Sequence, residues 1–96
     1  MSSEQNSRRI FYWLTPAQCR AARGLVAWTQ EQLADQAGVS RSTVRDFEKG
    51  RHELHRASAA VIRAAFERAG ILLIEPEGDL GPGVRLNGWQ PLVKDR

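Results

Sequence analysis

The sequence predicts a mainly α fold, with four helices around one core and a small β-hairpin towards the C-terminus. Three observations predict it. Apolar residues recur three and four apart through most of residues 16–69. Helix-starting hydroxyls stand at Thr15, Thr29 and Ser40, and helix-stopping glycines at Gly38, Gly50 and Gly70. Beyond Gly70 the pattern becomes two short β-prone runs around the turn-rich stretch PEGDLGP.

Residues 1–9 are polar and read as a disordered arm. Residues 10–70 read as the helical domain, 71–88 as the hairpin and a possible dimerisation element, and 89–96 as a tail. IFYWL, at residues 10–14, is either a strand or clasp over its own core or part of a dimer interface, because an exposed apolar row is a liability. Thr15 followed by Pro16 starts a first helix running to about Val26, with Cys19, Ala22, Leu25 and Val26 inward. Trp28 is expected to pack between the first two helices. Thr29 opens the second helix, with Gln32 at capping-box spacing and Leu33, Ala34 and Ala37 inward. Gly38 ends it, where a left-handed backbone carries no side-chain penalty. Ser40 caps a third helix, whose Val44 and Phe47 face in and which Gly50 closes. A fourth helix runs from about Ala57 to Ala69, with Val61, Ile62, Ala65, Phe66 and Ala69 forming a wide apolar stripe.

Composition narrows the class of function. The chain has 96 residues, net charge +3 and 42% apolar residues, which fits one soluble globular domain. Positive charge is concentrated: residues 8–68 hold eleven Lys/Arg against six Asp/Glu. A concentrated basic surface suggests a polyanionic partner. The single cysteine, Cys19, permits no internal disulfide, and no apolar run approaches the roughly 20 residues of a membrane span. A cytoplasmic protein with no membrane partner is expected. His52, His55 and Cys19 lack the fourth ligand and spacing of a zinc site, so no metal or other cofactor is expected. The sequence has no nucleophile–base arrangement, carboxylate pair or phosphate-binding glycine loop, so an enzyme is not expected.

From Gln30 as position one, positions four, five, eight, nine, ten, fifteen and eighteen are Leu33, Ala34, Ala37, Gly38, Val39, Val44 and Phe47. Two helices crossing steeply after a tight turn need a small residue at five, tolerance of positive φ at nine, and apolar residues at the other five. All seven comply. QEQLADQAGVSRSTVRDFEKGR resembles the helix–turn–helix of the Cro/CI-type (XRE) regulators. TPAQCRAARGLVAWTQ resembles that family's first helix and the approach to the second. RASAAVIRAAFERAGILLIEPEGDLGPGVRLN is similar to the fourth helix and hairpin of a small stand-alone bacterial subgroup. The resemblance covers Thr15 to Asn87. Many members of the wider family carry a fifth helix where this chain has its β-prone runs.

The resemblance implies a transcriptional regulator of double-stranded DNA, more commonly a repressor. A homodimer is expected, because one recognition helix covers only a few base pairs. With Val44 and Phe47 inward, Ser40, Arg41, Ser42, Thr43, Arg45 and Asp46 are expected to point out and read bases in the major groove. Arg41 suits guanine O6 and N7, or else a phosphate. Ser42 and Thr43 suit base edges or a thymine methyl, and Arg45 a base or a phosphate. Asp46 suits cytosine N4 or the orientation of a neighbouring arginine. By resemblance, Gln30 contacts a phosphate and Thr29 caps and shares in that contact. Lys49, Arg51 and His52 meet the opposite backbone, and Arg23 is a weaker candidate. Two other readings stand beside this one. An antitoxin-like protein would bind DNA and also a partner protein through its C-terminal segment. A pure protein-interaction domain would lack the steep salt dependence of DNA binding.

Overall fold

The computed structural model describes residues 14–88. The expected arm at residues 1–9, the expected tail at 89–96 and all of IFYWL except Leu14 lie outside the described residues. The elements in order are α1 (Pro16–Val26), α2 (Gln30–Ala37), α3 (Arg41–Glu48), α4 (Arg56–Arg68), β1 (Ile71–Ile74) and β2 (Gly83–Leu86). The predicted four helices and hairpin are present, with α4 starting one residue earlier than expected and β2 one residue before Val84.

The helix starts follow from local chemistry. Thr15 and Thr29 each accept from the backbone N–H three residues on, and Gln18 and Gln32 return a side-chain bond to the cap N–H. Two otherwise orphaned donors are satisfied at each start. Ser40 caps α3 by accepting from the Thr43 N–H. α4 begins at His55 with no side-chain cap. At the α2–α3 turn, Gly38 has φ 75°, and its N–H and that of Val39 both bond the Ala34 carbonyl.

α1 ends differently. Ala27, an alanine, holds the left-handed conformation with φ 59°. A Cβ in that region costs about 1 kcal/mol or more relative to glycine. Ala27→Gly is therefore expected to raise unfolding stability by about 1 kcal/mol in urea titration. A loss of stability would mean that the alanine side chain contributes more than the strain removes.

The core gathers Leu14, Cys19, Ala22, Leu33, Ala34, Ala37, Val44, Phe47, Ile62, Ala65, Phe66, Ile71 and Leu73. α2 packs on α3 and α4, α1 packs on α3 and both strands, and α4 packs on β1. Two expectations are corrected. Leu25 and Val61 are 43% and 40% exposed, not inward. Each neighbours a residue that faces the core more directly, Val26 and Ile62, and adjacent helical positions point about 100° apart. Trp28 packs against the core as expected, half-buried, and its ring also stacks on Phe66 of α4, centroids 5.8 Å apart.

β1 and β2 pair antiparallel, with Ile71 opposite Leu86 and Ile74 opposite Gly83. Ile71 and Leu73 are buried, whereas Leu72 and Ile74 face out. Beyond the strands, Glu77 and Leu80 exchange backbone bonds of 2.9 Å around Gly78, whose φ is 60°. Gln18 ties the hairpin down: its Nε2 donates to the Ile74 carbonyl at 3.1 Å and the Gly83 carbonyl at 3.0 Å.

Candidate nucleic-acid interface

α3 owes its two faces to sequence. Val44, Phe47 and Glu48, at i, i+3 and i+4, are buried. Arg41 and Ser42 are exposed, and Thr43, Arg45 and Asp46 are half-buried. All lie on the first two turns or their flanks, on the wide arc that Val44 and Phe47 leave open. Ser40 Oγ lies 3.1 Å from Ser42 Oγ and 2.8 Å from Thr43 Oγ1. The three hydroxyls thus form one connected polar patch at the N-terminal end of α3.

Asp46 is shared between arginines. Its Oδ1 accepts from Arg45 Nε at 3.3 Å and lies 3.8 Å from Arg51 Nη1. Exposed pairs of this kind stabilise by no more than about 1 kcal/mol, so either arginine can be drawn off by a stronger anion. Lys49, Arg51 and His52 are exposed on the segment after α3. A shallow concavity of about 210 Å³ separates α3 from that segment, and Ser42, Thr43, Asp46, His52 and His55 line it. His52 is thereby placed beside the exposed face of α3.

Behind this surface lies a buried ionic node centred on Glu48. The Glu48 side chain is 2% exposed. Its Oε2 accepts from Arg23 Nε at 2.8 Å and Cys19 Sγ at 3.0 Å. Its Oε1 accepts from Arg23 Nη2 at 2.8 Å and Gln30 Nε2 at 3.1 Å. Arg20 Nη1 bonds the Glu48 carbonyl. The carboxylate's roughly four acceptor sites are therefore all used. Burial pushes the Glu48 carboxyl up, but hydrogen bonds from Arg23, Cys19 and Gln30, with the charge of Arg23, outweigh it and hold the group below the usual carboxylate range. Burial raises the Cys19 thiol far above its ordinary value, and the bond to Glu48 adds to this. Cys19 is an inert core donor. Arg23 spends its remaining Nη1 on the Trp28 carbonyl at 3.0 Å, so the weaker phosphate candidate is committed inward.

Thr29 and Gln30 stand at the start of α2. Thr29 caps the helix, and half-buried Gln30 reaches the node. A signal for the node was present in outline. Glu48 lies four residues after Val44, and Arg23 four after Cys19, so each shares the inward face of its helix.

Two helices joined by a tight glycine turn, the second sealed at Val44 and Phe47 and polar outside, define a helix–turn–helix protein. The helix-turn-helix family model matches residues 20–67, half of the chain. The chain belongs to this family, the Cro/CI-type (XRE) helix–turn–helix proteins, which are DNA-binding transcription regulators. The match runs from α1 to near the end of α4 and leaves the hairpin outside. No curated protein matches the chain. Among the described residues, no helix is long and apolar enough to cross a membrane.

Proposed function

We propose that the protein binds specific double-stranded DNA sites as a homodimer and regulates transcription, as a repressor that occludes polymerase. One observation carries this reading: Val44 and Phe47 are buried while Arg41 and Ser42 are exposed and Thr43 is half-buried on the rest of α3. A helix with that polarity fits a major groove, where each base pair presents a distinct donor and acceptor pattern. In the proposed complex Ser40, Arg41, Ser42, Thr43, Arg45 and Asp46 read or orient towards bases. Thr29, Gln30, Lys49, Arg51 and His52 hold phosphates, contacts that position the protein without specifying sequence. The protein acts in the cytoplasm and needs no cofactor.

The hairpin supports the dimer. Leu72, Ile74, Leu80 and Leu86 are all at least one-third exposed there, a concentration of large apolar side chains that a partner could cover. Two copies joined through residues 71–88 would present two α3 helices to half-sites about 10 base pairs apart, or a multiple of that. The exposed apolar residues of the hairpin also favour a second reading, in which another protein seats on it as in antitoxin-like regulators. Co-purification with the product of a neighbouring gene distinguishes the two.

Selection of bound sequences from random duplexes tests the proposal. The expected result is a two-fold-symmetric consensus with a fixed half-site spacing. Enrichment of no sequence would overturn it. On the selected site, Arg41→Ala is expected to cost about 1–3 kcal/mol and to relax preference at one base pair. Equal weakening on every sequence would make Arg41 a phosphate contact.

A further inference from the structure

Gln30 stands at the first residue of α2, and its amide is not free to turn. A carboxylate accepts and does not donate, so the Glu48 contact at 3.1 Å fixes Nε2, not Oε1, as the inward end of the Gln30 side chain. Glu48 is held in turn by two bonds from Arg23 and one from Cys19, and it ends the helix proposed to enter the groove. One buried carboxylate thus connects α1, the first residue of α2 and the last residue of α3. An Nε2 group carries two protons, and Glu48 takes one of them.

We propose that Glu48 is a positioning residue for DNA binding: it holds the Gln30 amide as a donor and leaves the second Nε2–H for a phosphate of the duplex. The inference rests on the DNA-binding reading and deepens it. Glu48 itself touches no DNA. Its charge is neutralised by Arg23, so it adds little repulsion toward the phosphates. A pre-aimed donor avoids the ordering cost that a free glutamine would incur on binding.

A double-mutant cycle tests this. Glu48→Ala would strand the Arg23 guanidinium, so the background is the Arg23→Met/Glu48→Met pair, which removes both charges and keeps side-chain length. Folding of every variant is checked by circular dichroism, and affinity is measured on the selected duplex. Gln30→Ala is expected to weaken wild-type binding about tenfold but to change binding little in the Met/Met background. Arg41→Ala is expected to lose the same factor in both backgrounds, which a general loosening of α3 would not allow. An undiminished Gln30→Ala effect in the Met/Met background overturns the proposal. A measurement on the unmodified chain stands beside the cycle. On titration with duplex, the Gln30 side-chain amide proton signals should shift and remain resolved as two. Signals unchanged at saturation overturn the proposal while leaving the DNA-binding reading intact. Absence of any duplex binding by the wild type overturns both.

Discussion

Glu48→Ala is expected to destabilise the folded protein by about 3–5 kcal/mol, because it leaves the Arg23 guanidinium half-enclosed without its counter-ion. The wild-type carboxylate accepts four side-chain bonds and is nearly sealed from solvent. Its removal strands two Arg23 donors, the Cys19 thiol and one Gln30 N–H together. A domain of this size has a total stability of about 5–14 kcal/mol, so the loss is a large share of the whole. The variant should show a urea midpoint far below wild type, and a loss under about 1 kcal/mol would refute the account of the node. The pH dependence has a definite sign. Glu48 is held below its ordinary value of 4.5 in the folded state. Its contribution is therefore fully present above the unfolded value, and it fades as pH falls through the lower folded one. Wild type should lose stability on acidification below about pH 4.5, and the difference from Glu48→Ala should narrow over that range.

Phe66→Ala is expected to cost a similar amount, about 3–5 kcal/mol, by a different route. Phe66 is fully buried, and its ring stacks on Trp28. Truncation opens a cavity where α4 meets the rest of the core and also withdraws the surface that holds the indole. Phe66→Leu, which keeps most of the volume, should cost clearly less. If the two substitutions proved equally costly, the stacking geometry rather than the filled volume would be the source of the stability.

Much of the fold was legible because its signals are local. The capping residues at Thr15, Thr29 and Ser40 satisfy donors three residues away. Gly38 is required by the backbone of its own turn, and the apolar stripe of α2 needs only its own spacing. The stripes of α1 and α4 were drawn too wide. A run such as Val61-Ile62 does not reveal which member meets the neighbouring helix, and that choice depends on packing. The outward set on α3 followed from finding Val44 and Phe47. What escaped was non-local. The Gln18 amide bonds carbonyls 56 and 65 residues away. The sequence suggests that Glu48 ties neighbouring backbone or arginines, but not which arginine. Its burial depends on Arg23, 25 residues earlier on a different helix.

The Gln18 clasp has a mechanical consequence. One amide grips both strands at their matched ends, and the helix that bears it also supplies Cys19, Arg20 and Arg23 to the end of α3. The hairpin and the end of α3 are thereby anchored to the same helix, α1, by side-chain bonds at both places.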